Sequence, residues 1–68
     1  MSYTAVSSSN VAGVGYDGYT LVVDFLSGSR YEYDGVPPDV VDGLVNAASV
    51  GGYLAGNIKG RYPYRRIW

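Results

Sequence analysis

The sequence predicts an α+β domain, with a three-stranded antiparallel β-meander followed by two α-helices packed on one face of the sheet (β-β-β-α-α). Short apolar runs alternate with polar residues or glycine across residues 11–34, and turn sequences separate them. Pro37 and Pro38 then end the strand pattern, because proline cannot donate a ladder hydrogen bond and often opens a helix. In residues 38–58 the apolar side chains recur three and four positions apart, which is the helical period. Strands followed by helices are typical of the α+β class.

The first two strands are predicted at Val11–Tyr16 and Tyr19–Leu26, joined by Asp17-Gly18. Asp-Gly between alternating apolar runs favours a two-residue type I′ hairpin turn, which needs positive φ at both central residues. That turn sets Tyr16 opposite Tyr19 and brings six side chains to one apolar face. These six are Ala12, Val14, Tyr16, Tyr19, Leu21 and Val23.

The third strand carries two tyrosines, Tyr31 and Tyr33, after the turn Ser27-Gly28-Ser29. A three-residue loop there places Phe25 opposite Tyr31, puts both tyrosines on the apolar face and leaves the intervening charged residues in solvent. A two-residue loop would turn both tyrosines outward, where paired aromatic rings on a sheet can stack RNA bases. We predict the first register, and whether these rings belong to the core or to a surface stays open at this point.

Two helices are predicted after the prolines. The first covers residues 38–48, with Asp39 in its first turn, where the helix dipole favours acidic side chains. Ser49 is a suitable N-cap for the second helix, Val50 to about Ile58, because its hydroxyl can accept a backbone N–H. Small residues at that N-terminus, Ser49 and Gly51, also leave amide donors exposed, so we consider them a possible anion site beside the simpler capping role.

The composition describes one small domain over residues 1–68 and excludes much chemistry. With no histidine and no cysteine, the chain lacks the commonest general base, a thiolate nucleophile and the usual zinc ligands, so we predict no catalysis, no metal and no cofactor. A chain this short buries a limited core, which leaves a homo-oligomer open. No apolar run is long enough to span a membrane, and the N-terminus does not resemble an export signal, so we predict a cytoplasmic location.

The last ten residues differ in charge from the body of the chain. Residues 1–58 contain six acidic residues and one basic residue, Arg30, whereas residues 59–68 contain four basic residues, three aromatic residues and no acid. Cations attract phosphates and aromatic faces stack on bases, so we predict that this basic-aromatic segment binds a nucleic acid or another phosphate-bearing ligand. The candidate ligand-binding residues are Lys59, Arg61, Tyr62, Tyr64, Arg65, Arg66 and Trp68. The alternative is that the rings of Tyr62 and Trp68 pack on the sheet or helices while the arginines balance the acidic body.

Several short sequences, taken in order, resemble those of the KTSC domain family. They are Gly15-Tyr16-Asp17, Tyr31-x-Tyr33, Gly35-Val36-Pro37, Ala48-Ser49-x-Gly51-x-Tyr53 and Asn57-Ile58. The family is named for its occurrence at the C-terminus of some lysyl-tRNA synthetases, and this chain is similar to its free-standing bacterial or phage-type form. The resemblance implies a single domain that has been supposed to bind RNA and for which no activity is established.

These observations lead to one main functional hypothesis and two alternatives. The main hypothesis is a non-catalytic binding module for RNA or a phosphate-bearing nucleotide, with the basic-aromatic segment as its contact surface. The first alternative is a protein–protein interaction or assembly module that uses apolar residues on the outward sheet face, which include Val11, Val22 and Leu26. The second is a phage-type protein that sequesters a small nucleotide signal through the same cations.

Overall fold

Residues 2–68 fold into one five-stranded antiparallel sheet with two helices between its fourth and fifth strands. The computed structural model describes residues 2–68. The elements are β1 (Ser2–Ala5), β2 (Val11–Tyr16), β3 (Leu21–Phe25), β4 (Arg30–Tyr33), α1 (Pro38–Val45), α2 (Val50–Asn57) and β5 (Tyr64–Arg66). Their order in the sheet is β1-β2-β3-β4-β5. The α+β class, the central meander and both helices are confirmed, but the sheet has five strands where the sequence predicted three.

The two additional strands, β1 and β5, form the edges of the sheet. Tyr3 in β1 lies opposite Gly15, and Tyr64 in β5 lies opposite Tyr33. Each segment is too short to carry a clear alternating pattern, and each finds its hydrogen-bond partners on a strand that is distant in the sequence or separated by a loop. Residues 64–66 therefore belong to the sheet, and the basic-aromatic segment is not a free tail.

The hairpin between β2 and β3 has a longer loop than the predicted one. Tyr16 lies opposite Leu21, not Tyr19, so the loop has four residues instead of two. The Asp17 carboxylate explains the difference, because its Oδ1 accepts backbone hydrogen bonds from Tyr19 (2.9 Å) and Thr20 (2.7 Å) and closes a wider turn. Tyr19 consequently leaves the apolar face and is 63% exposed.

A β-bulge at Ala12 turns the start of β2 toward the core. Val11 lies opposite Phe25 and Gly13 lies opposite Asp24, so Ala12 is an extra residue on the β2 side. Because of this extra residue, the side chain that precedes Ala12 in β2 points to the opposite face from the one predicted, and Val11 is buried in the core. The prediction that Val11 faces outward was wrong for this reason.

The outward face of the sheet is also less apolar than predicted. Val22 lies on this face but is buried, with 5% of its surface exposed, whereas Leu26 is exposed as predicted. On the same face the ring of Tyr3 crosses Gly13, where a β-carbon would collide with the tyrosine hydroxyl. Tyr3 Oη donates a hydrogen bond to Asp24 Oδ2 (3.2 Å). Of the apolar residues predicted to remain on the outward surface, Leu26 is the one that does.

The β3–β4 hairpin differs from the prediction by two residues but keeps its faces. Tyr31 lies opposite Val23 and Tyr33 lies opposite Leu21, whereas the sequence predicted Tyr31 opposite Phe25. Since side chains alternate with a period of two, this shift leaves both tyrosines on the helix-facing side of the sheet. The predicted face is therefore confirmed, although the predicted pairing was wrong.

The core lies between that side of the sheet and the two helices. Its buried members are Val11, Val14, Leu21, Val23, Tyr33, Val36, Val41, Leu44, Val50, Leu54 and Ile58. The predicted cap of α2 is confirmed, because Ser49 Oγ accepts a hydrogen bond from the Gly52 N–H (3.1 Å). α1 ends at Val45, earlier than predicted, and Asn46 Nδ2 donates to the Asp42 carbonyl (2.9 Å) at that end.

Candidate functional site

An open groove lies at the β4–β5 edge of the sheet, on the helix-facing side, between the β3–β4 loop and the segment that follows α2. Its volume is about 580 Å³. The lining residues are Phe25, Ser27, Ser29, Tyr31, Tyr33, Lys59, Gly60 and Tyr64. Of these described residues none is acidic and four carry aromatic rings, so we call the feature the aromatic groove.

The four rings form one wall of the aromatic groove. The Tyr64 ring centroid lies 5.9 Å from that of Tyr31 and 5.8 Å from that of Tyr33, and Phe25 meets Tyr31 edge-to-face at 5.6 Å. Tyr33 is buried, and this burial raises the pKa of its hydroxyl, whereas Tyr64 is 61% exposed. The question left open by the sequence is therefore answered differently for each β4 tyrosine. Both rings line the groove, but Tyr33 is buried as part of the core, whereas Tyr31 is half-buried.

Alternation along β5 decides which side chains of this strand reach the groove. Tyr64 lies opposite Tyr33, so Tyr64 and Arg66 share the helix-facing side of the sheet, while Arg65 between them faces outward. Arg66 Nη2 approaches Ser29 Oγ at 3.4 Å, and Ser29 is a lining residue of the groove. Arg66 forms no ion pair within residues 2–68. The strand therefore contributes the ring of Tyr64 to the groove lining and places Arg66 next to the lining residue Ser29.

Arg65 has a different environment from Arg66, because two carboxylates surround it on the outward face. Its Nη2 lies 2.7 Å from Glu32 Oε1, and its Nη1 lies 2.8 Å from Asp34 Oδ2. The hydrogen bond from Arg65 holds the pKa of Asp34 below its ordinary value, with a further contribution from Thr20. Arg65, which the sequence placed among the ligand-binding residues, is thus engaged in holding β5 to β4.

Trp68 packs on Arg30 at the same outward edge of the sheet. The Arg30 guanidinium lies 4.5 Å from the Trp68 ring centroid, and its Nε and Nη2 donate to the two carboxylate oxygens of Asp24. This pair holds the pKa of Asp24 below its ordinary value. Backbone hydrogen bonds run from Arg30 N–H to the Trp68 carbonyl (2.6 Å) and from Ile67 N–H to the Arg30 carbonyl (2.7 Å). The end of the chain is therefore tied to β4, although Trp68 is 57% exposed.

The remaining members of the basic-aromatic segment separate into two groups. Lys59 lines the groove, with its Nζ 5.7 Å from the Phe25 ring centroid. Arg61 is exposed, and its Nε donates to the Gly56 carbonyl (3.3 Å) at the end of α2. Tyr62 packs against the core. Lys59 therefore joins Tyr64 and Arg66 at the groove, and Arg61 and Tyr62 do not line it.

The possible anion site at the start of α2 lies apart from the groove lining. Ser49 Oγ is occupied as the helix cap, and the side-chain amide of Asn10 lies close against Gly51. The anion site at Ser49 and Gly51 stays a prediction. Elsewhere in residues 2–68 no group of His, Cys, Asp and Glu side chains is arranged to hold a metal ion. Neither helix described in this range has the length and hydrophobicity that a membrane-spanning helix needs.

Sequence reasoning missed part of the groove. It assigned Phe25 to the core and used residues 27–29 only to set a register, yet Phe25, Ser27 and Ser29 line the groove. The signal available was a turn with two hydroxyl groups directly before a Tyr-x-Tyr strand. That signal becomes specific only when β5 is known to pair with β4, because β5 supplies the opposite side of the groove.

The fold is a meander sheet that has an additional strand at each edge and is covered by two helices, with a Tyr-x-Tyr strand beside the groove. This combination defines a recognisable class of small α+β domain. Residues 7–62 match the KTSC domain family, and the chain belongs to this family. The crystal structure of a KTSC domain protein from Yersinia pestis is similar over its whole length, with a TM-score of 0.91 and 33% sequence identity. The similarity covers 98% of this chain and 97% of that one.

Two relatives illustrate the settings in which similar sequences occur. A protein from Stutzerimonas stutzeri (strain A1501), described as uncharacterized, is 40% identical over 70 residues, which covers 98% of this chain and 99% of the relative. A lysine–tRNA ligase from Nostoc punctiforme is 44% identical over 48 residues, which covers 71% of this chain but 9% of the ligase. The matching segment is thus nearly a whole protein in one relative and a small part of a large one in the other.

Proposed function

We propose that this protein is a non-catalytic binding module that holds single-stranded RNA or a phosphate-bearing nucleotide in the aromatic groove. The observation that carries the proposal is the exposed ring of Tyr64 together with Lys59 in a groove whose described lining contains no acid, with Arg66 next to the lining residue Ser29. An aromatic face stacks on any base, and a neighbouring cation attracts the phosphate of the same nucleotide.

The size of the groove supports a ligand with an unpaired base. Its volume of about 580 Å³ lies within the range of roughly 300–1,000 Å³ typical of small-molecule sites. A base must leave its duplex partner before it can stack on a protein side chain. The groove therefore favours a nucleotide or a single strand over a double helix.

The arrangement of the acidic residues supports binding without catalysis. Three carboxylates, those of Asp24, Glu32 and Asp34, lie on the outward face and pair with Arg30 or Arg65. A general acid or base must reach the reacting atoms, and these groups lie on the opposite side of the sheet from the groove. The chain also has no histidine or cysteine to take that role.

The relatives support RNA as a ligand class. By its name, the Nostoc punctiforme relative is a ligase that joins lysine to tRNA, and a segment similar to 71% of this chain forms part of it. A cytoplasmic location, as expected from the sequence, is part of the proposal, because RNA and nucleotides are abundant there.

The structure affects the two alternative hypotheses, protein interaction and nucleotide sequestration, differently. Val11 and Val22, on which the protein-interaction hypothesis relied, are buried, so that hypothesis loses most of its surface. Sequestration of a small nucleotide signal would use the same groove, whose volume suits one nucleotide. A comparison of mononucleotides with oligonucleotides separates this second candidate from RNA binding.

The proposal is tested by isothermal titration calorimetry with mononucleotides and short single-stranded RNAs at several salt concentrations. If Lys59 and Arg66 contact phosphates, the logarithm of the association constant for RNA falls with the logarithm of salt concentration at a slope of about −1.4, or roughly 0.7 per contact. A ligand held by apolar contacts alone would show almost no slope. Absence of binding to every nucleotide and RNA at low salt would refute the proposal.

A matched pair of tyrosine variants locates the site. Tyr64 and Tyr19 are almost equally exposed, at 61% and 63%, but only Tyr64 lines the groove. We expect Tyr64→Ala to weaken binding by about 1–3 kcal/mol, the contribution of one base–aromatic stack, and Tyr19→Ala to leave it unchanged. Equal losses in the two variants would place the ligand elsewhere.

A further inference from the structure

Exposed aromatic rings occur at both ends of the C-terminal edge of the sheet. Tyr64 starts β5 and Trp68 ends the chain, and their side chains are 61% and 57% exposed. Arg66 lies midway between them in the sequence, shares the face of Tyr64 and has no ion-pair partner within residues 2–68. Along the chain, the edge thus carries a ring and a cation on the groove side and then a second ring that packs on Arg30 at the outward side, so a ligand that contacts both rings passes around the edge of the sheet.

The ring of Trp68 is held in place although it is largely exposed. The Arg30 guanidinium packs on it at 4.5 Å from the centroid, and Asp24 in turn fixes this guanidinium through two hydrogen bonds. Two backbone hydrogen bonds tie Ile67 and Trp68 to Arg30. An immobilised ring with accessible surface is a stacking platform that loses little entropy when a base binds.

The two rings are too far apart for one nucleotide to contact both. Trp68 lies four residue steps along the chain from Tyr64, which corresponds to a backbone distance of up to roughly 13 Å at ~3.3 Å per residue. Stacked neighbours in a nucleic-acid strand are ~3.4 Å apart. A ligand that uses both rings must therefore have several linked nucleotides.

The charges of β5 favour a polyanion at this edge over a second copy of the chain. Antiparallel pairing of β5 with β5 of another copy would set at least one arginine opposite an arginine in each of the central registers, as Arg65 with Arg65, Arg65 with Arg66, or Arg66 with Arg66. Like charges directly opposite one another destabilise a strand pair, and basic residues commonly protect an edge strand from such pairing. A phosphodiester chain has the complementary charge.

Building on the proposed function, we propose that the ligand is a single-stranded oligonucleotide that stacks one base on Tyr64 in the aromatic groove and another on Trp68, with Arg66 contacting a phosphate between them. This assigns to Trp68 a role that the groove lining does not include. It also separates an RNA-binding module from one that sequesters single nucleotides, because only the former uses the second ring.

Trp68 is the sole tryptophan of the chain, so its fluorescence reports on the second platform alone. The experiment titrates the full chain with uridine monophosphate and with oligouridylates of increasing length up to eight nucleotides, and follows binding by calorimetry and by tryptophan emission. We expect the mononucleotide to release heat without changing the emission. Oligouridylates long enough to reach both rings should quench the emission and bind more tightly.

Variants of Trp68 separate stacking from general electrostatic attraction. Trp68→Ala should weaken binding of the longer oligouridylates by at least about fivefold, the lower end of base–aromatic stacking, and leave mononucleotide binding unchanged. Trp68→Phe, which keeps a ring, should recover most of the loss and shows that the effect does not come from a disturbed fold. Tyr19→Ala, a change at an exposed tyrosine outside the groove, serves as the control.

The outcomes distinguish this inference from the proposed function. If mononucleotide and oligouridylates bind but Trp68→Ala binds both as the unmodified chain does, the second platform is refuted and the groove stands. If nothing binds, the proposed function itself fails. Light scattering that shows two copies joined through β5, and separated by charge reversal at Arg65 and Arg66, would also overturn the inference.

Discussion

Arg65 and Arg66 are neighbours in the chain, yet their guanidinium groups lie on opposite faces of β5. Arg65 points outward and contacts the carboxylates of Glu32 and Asp34, whereas Arg66 points to the groove side and reaches the hydroxyl of Ser29. One cation is paired with acids within the fold, and the other has no acidic partner within residues 2–68. Basic composition alone does not distinguish these roles, because the distinction arises from strand alternation and from the residues on β4.

The same contrast extends over the whole C-terminal edge. On the outward face Arg30 pairs with Asp24, and Arg65 pairs with two further acids, so positive and negative charges cancel. On the groove side Lys59 and Arg66 have no acidic partner within residues 2–68, and aromatic rings take the place of the carboxylates. The ion pairs of the outward face therefore hold β5 to the sheet, whereas on the groove side the side chains of Tyr64 and Arg66 are exposed.

The largest effect on stability is expected for substitution of Tyr33, at the base of the groove. Tyr33→Ala removes a ring that is 2% exposed and should cost about 3–5 kcal/mol of unfolding free energy. That loss is comparable with the total of about 3–10 kcal/mol expected for a domain of this length, so the variant should be largely unfolded. Urea denaturation followed by circular dichroism measures it. Tyr33→Phe keeps the ring and should stay folded, and a stable Tyr33→Ala variant would show that the ring is not part of the core.

Lowering the pH should weaken the ion pairs of the outward face before it affects the groove side. The pKa values of Asp24 and Asp34 lie below the ordinary 3.8, because Arg30 and Arg65 donate hydrogen bonds to them, and Asp17 is lowered by the backbone N–H groups of its turn. These carboxyls bind protons more weakly in the folded state, so the unfolded state takes up more protons as the pH falls below about 4. Their stabilisation is complete above that pH and is lost as the pH drops through the folded pKa values.

The measurement is a series of urea unfolding curves from about pH 7 to about pH 2. We expect the unfolding free energy to decline below pH 4 and the decline to be shallower in Arg65→Ala, because this variant removes the main cause of the low pKa of Asp34. A free energy that stays constant through this range would contradict the ion pairs of the outward face.

The fold shows which parts of such a structure follow from local sequence. The Ser49 cap and the shared face of Tyr31 and Tyr33 were predicted because each depends on residues within a few positions of one another. The loop after β2 was predicted two residues too short, since Asp-Gly favours a tight turn in general but the Asp17 carboxylate here accepts hydrogen bonds from the amides of Tyr19 and Thr20. The Asp-Gly sequence was a local signal in that case, but it is compatible with both a two-residue and a four-residue loop.

The candidate site shows where local sequence is insufficient. The segment 59–68 was identified from its composition, but its division into groove residues and fastening residues depends on the pairing of β5 with β4. That pairing joins residues about thirty positions apart, and no pattern within the segment specifies it. Phe25 and Ser29 were missed for the same reason, since they become groove residues only when Tyr64 and Arg66 lie opposite them.

Removal of Arg65 should lower stability by a modest amount. The guanidinium is about half exposed, at 54%, and exposed ion pairs typically contribute about 0.2–1 kcal/mol. We therefore expect Arg65→Ala to lower the unfolding free energy within this range, as measured by urea denaturation. The affinity for RNA should change little. A large loss of affinity at unchanged stability would mean that Arg65, and not the groove side, contacts the ligand.

Arg66→Ala should show the opposite behaviour, with the smallest effect on stability. Its guanidinium has one polar contact, to Ser29 Oγ at 3.4 Å, so the unfolding free energy should stay within about 0.5 kcal/mol of the unmodified chain. Binding should respond, because loss of one phosphate contact reduces the salt slope by roughly 0.7. Arg61→Ala is the matched control, since Arg61 is also exposed but donates to the Gly56 carbonyl at the end of α2, whereas Arg66 contacts the groove residue Ser29. If Arg61→Ala and Arg66→Ala reduce the salt slope equally, the ligand senses the total charge of the segment, and the two faces of β5 do not differ in function.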